Sequence, residues 1–135
     1  MTNTDAIGSS ECRRVLVVDD EPENLIVIEA LLEDDFEVFT AESGPEALEI
    51  LEEQDDDGEP IDLVISDQRM PEMTGVELLA RVTNEYPEAT RMILTAYSEV
   101  DPIVRAVNSG SVYRFLLKPW DADELRAAVR EGLQF

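Results

Sequence analysis

Apolar residues along this chain fall into two alternating rhythms. Short continuous runs stand at Val15-Leu16-Val17-Val18 and in residues 36–41, 61–67, 91–95 and 111–117. Runs this short, rich in β-branched residues and bounded by turn residues, read as strands buried on both faces. Between them the apolar positions recur at helical spacing. The stretches are Leu25, Ile28, Ala30, Leu31 and Leu32; Ala47, Leu48 and Leu51; Val76, Leu79, Ala80 and Val82; Val100, Ile103, Val104 and Val107; and Leu125, Ala128 and Val129. The punctuation agrees. Pro22 suits a first helical turn, where its missing N–H is no loss. Ser43 with Glu46, and Thr74 with Glu77, have the spacing of capping boxes. Five strands alternating with five helices predict an α/β fold, a parallel sheet covered on both sides and wound by right-handed crossovers. With 135 residues the expectation is one folded domain over residues 13–135, preceded by a flexible polar tail at residues 1–12.

Charge narrows the partners. The chain has 32 acidic against 10 basic side chains, a net charge of −22, and Lys118 is its single lysine. Such a surface repels phosphate backbones and anionic lipid, so direct nucleic-acid or membrane binding is not expected. An acid-rich, lysine-poor surface resembles that of proteins from salt-rich cytoplasms, where ionic strength screens self-repulsion. The melting temperature is therefore expected to climb between low and molar salt; a melt indifferent to salt would contradict this. Cys12 is the only cysteine, which excludes an intrachain disulfide. No apolar run reaches the length of a membrane span, and no signal-peptide core is present, so a cytoplasmic location is expected. Residues 54–60 contain three consecutive Asp but lack the alternating ligand spacing of a calcium loop.

The candidate chemistry lies where strands end. Asp19-Asp20, Asp67, Thr95 and Lys118 each close an apolar run. In a parallel sheet these ends share the carboxyl edge, where open α/β folds bind ligands. Asp20 and Asp67 offer two carboxylates to a hard divalent cation, most naturally Mg²⁺, with Mn²⁺ as a substitute. Without a cation, two like charges at about 4 Å and an effective dielectric of about 20 repel by about 4 kcal/mol. Thr95 offers a hydroxyl donor, and Lys118 a compact charge suited to a phosphate. Taken singly, each has a plainer use. Asp19 or Asp20 could cap the helix beside Pro22, and a strand-end Thr often serves a turn. All four on one edge make the plainer uses insufficient.

Together, Asp19-Asp20, Ser66-Asp67, Met70-Pro71 through Gly75, Leu94-Thr95-Ala96 and Leu117-Lys118-Pro119 closely resemble the receiver domain of two-component response regulators. The resemblance implies a flavodoxin-like, doubly wound five-stranded sheet of order 2-1-3-4-5. It implies that Asp67 accepts a phosphoryl group from a histidine kinase or phosphotransfer protein, catalysing only its own phosphorylation and dephosphorylation. Asp20, Asp67 and the backbone carbonyl of Arg69 would ligate Mg²⁺, with Asp19 acting through a water. Lys118, Thr95 and the backbone amide of Ala96 would meet the phosphoryl oxygens, and a cis peptide would precede Pro119. The switch residues would be Thr95 and Phe115, with Tyr113 as a second candidate of the same strand parity. Arg69 and Tyr97 would flank the site and restrict the attacking water. The readout surface would be helix 4, strand 5 and helix 5, addressing an output domain or partner, with homodimerisation through that face possible. Residues 112–121 look like those of receivers joined to signalling phosphodiesterase or kinase modules. The rival is a pseudo-receiver, unphosphorylated and used as an interaction module. A phosphatase of aspartyl-nucleophile type would want an acid where Arg69 stands, and a flavin carrier would not tolerate Asp19-Asp20-Glu21 at its phosphate loop.

Overall fold

The computed structural model describes residues 13–96 and 100–134. The expected tail, Cys12 and Tyr97 lie outside the described residues. Five strands alternate with five helices: β1 (Arg14–Val18), α1 (Pro22–Leu32), β2 (Glu37–Ala41), α2 (Gly44–Asp56), β3 (Leu63–Asp67), α3 (Gly75–Glu85), β4 (Thr90–Thr95), α4 (Val100–Asn108), β5 (Arg114–Leu117) and α5 (Ala122–Gly132). Every strand pairing is parallel, and the order is β2-β1-β3-β4-β5. This is the doubly wound, flavodoxin-like arrangement expected from the sequence. No described helix is long and apolar enough to cross a membrane.

The alternation of side chains along each strand builds two cores. Val15, Val17, Leu63, Ile65, Met92, Leu94 and Leu116 pack with α1 and α5. Leu16, Val18, Val64 and Ile93 pack with α2, α3 and α4. Each buried Val, Leu or Ile contributes roughly 1.5–3 kcal/mol, so these layers, more than any cap, hold the sheet. All five residues of β3 are buried, which fits its place at the sheet's centre.

Some helices bury a residue two positions from the expected one. In α3, Leu78 is buried with Leu79 and Val82 while Ala80 is exposed; in α4, Ala106 is buried with Ile103 while Val104 is exposed. In α1, Ala30 is exposed, as are Ile26 and Val27. Leu78 and Ala80 each stand about 100° from Leu79 on the helix, so spacing alone does not choose which side turns inward. At the amino edge, Arg91 ties loops together. Its guanidinium donates to the carbonyls of Ala89 at 2.8 Å, Ser111 at 3.0 Å, Gly110 at 3.2 Å and Pro87 at 3.3 Å. Burial pushes its pKa down from the ordinary value.

Candidate functional site

Parallel pairing brings the strand-end residues to one edge. Asp67 is the last residue of β3 and Thr95 the last of β4; both are buried. Asp19 follows β1 directly, its N–H donating to the Ala41 carbonyl at 3.1 Å, so the ladder with β2 carries it inward. Lys118 follows β5, and its N–H donates to the Thr95 carbonyl at 2.8 Å. The Lys118–Pro119 peptide is cis, as the resemblance implied.

The side chains then converge. Lys118 Nζ stands 2.7 Å from Asp67 Oδ1, joining two residues that are 51 positions apart. One carboxylate oxygen from each of Asp19, Asp20 and Asp67 lies within 4.8 Å of the others. A cleft of about 550 Å³ opens above them, lined by Asp20, Asp67, Arg69, Thr95, Ala96 and Lys118 among others. Asp19 lies beneath it, 2% exposed. The donors are carboxylate oxygens throughout, a set that fits a hard divalent cation and not a soft one. Thr95 Oγ1 donates to the Ala96 carbonyl at 3.2 Å, so its hydroxyl spends its proton on the backbone in this arrangement.

Asp19 does more than face the cleft. Its Oδ1 accepts from the Glu21 N–H at 2.9 Å, and its Oδ2 from Asn24 Nδ2 at 3.2 Å. These bonds close a turn ahead of α1, whose N-cap is Glu21 and whose first amides receive no side-chain cap. Burial pushes its pKa up, and the charge of Asp67 adds to this; the Glu21 N–H, the Asn24 amide and Lys118 pull it down. An ionised Asp19 is thus unfavourable to the metal-free fold. Asp19→Asn keeps an oxygen for the Glu21 N–H, and the Asn24 amide, by turning its oxygen to the new N–H, keeps a bond to it. The substitution is expected to raise the metal-free melting temperature by a few degrees and to weaken Mg²⁺ binding. A lower melting temperature with unchanged Mg²⁺ affinity would contradict this.

The two aromatic candidates separate. Phe115 lies in β5 opposite Ile93, two positions before the Thr95–Leu117 pair, and its half-buried ring packs on the core beneath α4. Tyr113 precedes β5. Its N–H donates to the Arg91 carbonyl at 2.7 Å, and its ring stands near Gly132, at the amino end of the sheet. The expected strand from residue 111 begins only at Arg114, so Tyr113 stands outside it, at the end of the sheet opposite Thr95. Tyr113 is not brought to Thr95.

Sequence reasoning also passed over Gln68 and Asn24. Gln68 is buried one residue beyond Asp67, and Asn24 is a ligand of Asp19. A polar residue directly after the buried run was the available signal for the first.

The family model of the response regulator receiver domain matches residues 15–130. The hydrogenase transcriptional regulatory protein HoxA of Cupriavidus necator is 37% identical over 120 residues, 89% of this chain and 24% of that protein. The transcriptional regulatory protein GlrR of Escherichia coli is 40% identical over 121 residues, 89% of this chain and 26% of that protein. The chain thus spans about a quarter of the length of the curated relatives it matches. Among solved structures, an adenylate cyclase from Rhodopirellula baltica matches with a TM-score of 0.86 and 36% identity, covering 91% of this chain and 88% of that one. A response regulator receiver domain protein from Clostridium thermocellum matches with a TM-score of 0.81 and 33% identity, covering 90% and 94%.

Proposed function

Because the chain belongs to the response regulator receiver family, we propose that Asp67 is its phosphoacceptor, charged by a histidine kinase or a phosphotransfer protein. The observation that carries this is the Asp67 carboxylate, held through Oδ1 by Lys118 at 2.7 Å within a cluster of three acids. Lys118 fixes the rotation of that carboxylate, leaving the second oxygen to attack phosphorus. The Asp67 O–P bond forms as the P–N bond to the donor histidine breaks, and the imidazole departs with the electron pair. Asp20, Asp67 and the Arg69 carbonyl would hold Mg²⁺ or Mn²⁺, with Asp19 behind them through a water. When bound, the cation neutralises charge on the phosphoryl oxygens. The remaining neutralisation falls to Lys118, the Thr95 hydroxyl and the Ala96 amide, since phosphoryl transfer asks mainly for positioning and charge stabilisation.

The modification adds roughly −1.5 to −2 charges at the cleft. Thr95 then turns its hydroxyl from the Ala96 carbonyl toward a phosphoryl oxygen, and Phe115 moves into the space behind it. Phe115 has no hydroxyl, so its switch is one of burial. The α4–β5–α5 surface would pass this change to an output domain, a partner or a second copy.

Intact mass after incubation with acetyl phosphate, with Mg²⁺ or with a chelator, tests the reading. A phosphoryl adduct that requires the cation is expected. A protein that binds Mg²⁺ neither before nor after this treatment, and gains no mass, would be a pseudo-receiver instead.

A further inference from the structure

Gln68 is polar, yet it is 5% exposed, and the phosphoryl chemistry above makes no use of it. Its hydrogen bonds join three elements. Its N–H donates to the Leu94 carbonyl of β4 at 3.2 Å, and its carbonyl accepts from the Gly75 N–H at 3.0 Å. Its side-chain Oε1 accepts from the Val76 N–H at 2.9 Å. Gly75 and Val76 open α3, where helix N–H groups have no partner within the helix. Thr74 already caps the Glu77 N–H, so Gln68 satisfies a different orphan donor.

Both ends of the loop from Gln68 to Gly75 therefore close on one residue. The approach is tight: a Cβ on Gly75 would stand 2.5 Å from the Asp67 carbonyl oxygen and 3.1 Å from Gln68 Cα. Arg69, Met70 and Pro71 of this loop line the cleft. Glu72, also within it, has φ of 71°, a left-handed backbone that a non-glycine residue keeps only when its surroundings hold it.

We infer that Gln68 is a positioning residue, whose side-chain bond to the Val76 amide holds the Arg69 main chain at the cation site beside Asp67. The inference rests on the proposed cation site, and its test separates the two. Trp120, the single tryptophan, lines a hollow with Asp19 and Lys118, so its fluorescence can follow Mg²⁺ titrations of the full chain. Hydrogen exchange of the Val76 amide in metal-free protein reads the clamp itself. Gln68→Met is expected to speed that exchange and to weaken Mg²⁺ binding about 10-fold, the usual cost of losing a partner behind a metal ligand. Gln68→Glu keeps an acceptor of the same reach, suited to a helix N-terminus, and is expected to restore both readouts. If Gln68→Met fails to fold, Gln68→Asn, one methylene shorter, is read in its place. Faster exchange with wild-type Mg²⁺ affinity would overturn the inference alone, as would unchanged exchange. A wild-type protein that binds no Mg²⁺ would overturn the proposed function, and the inference with it.

Discussion

Asp67→Asn is expected to abolish the phosphoryl adduct while leaving the fold intact. The substitution is isosteric, so the close packing around the end of β3 is undisturbed, and the Gly75 N–H still finds the Gln68 carbonyl. What disappears is the nucleophile. An amide oxygen does not form a stable phosphoryl ester under these conditions, and neither Asp19 nor Asp20 replaces it. Asp19 lies beneath the cleft with both oxygens engaged by Glu21 and Asn24. Asp20 opens onto the cleft, but no lysine fixes it as Lys118 fixes Asp67. Intact mass after acetyl phosphate and Mg²⁺ measures the effect. An adduct on Asp67→Asn at the wild-type level would place the acceptor elsewhere.

Lys118→Met is expected to separate metal binding from chemistry. Lys118 contacts the acid cluster, 2.7 Å from Asp67, and its side chain is about one-third exposed, at 36%. Removing its charge takes away a competitor for the carboxylates, so Mg²⁺ should bind at least as tightly. The labelling rate should nevertheless fall about 100-fold, the cost of deleting one preorganised donor to developing charge. Time courses of phosphorylation alongside fluorescence titrations would show this. Weaker Mg²⁺ binding with an unchanged labelling rate would reverse the roles assigned here.

The parts of this account legible in the sequence are those that repeat along it. Four strand-end functional groups follow runs such as Leu63-Val64-Ile65, buried on both faces, and parallel pairing alone brings Asp19, Asp67, Thr95 and Lys118 to one edge. Contacts that depend on exact register were not legible. Choosing Leu78 over Ala80, or Ala106 over Val104, needs the rotation of a helix about its axis, which apolar residues two positions apart leave open. The start of β5 was misplaced: it lies at Arg114, three residues into the run expected from residue 111. Gln68 and Arg91 act through backbone carbonyls and amides of distant loops, and no side-chain pattern announces such partners.

The most direct test of the central claim is to locate the modification. An aspartyl phosphate is an acyl phosphate, and borohydride reduces it to homoserine at the residue that held the group. Protein labelled with acetyl phosphate and Mg²⁺, reduced and then mapped by peptide mass spectrometry, should show homoserine at position 67 and at no other acidic residue. Homoserine at Asp20 or Asp19 in place of Asp67, or an adduct that survives borohydride as a serine or threonine ester would, would contradict the account.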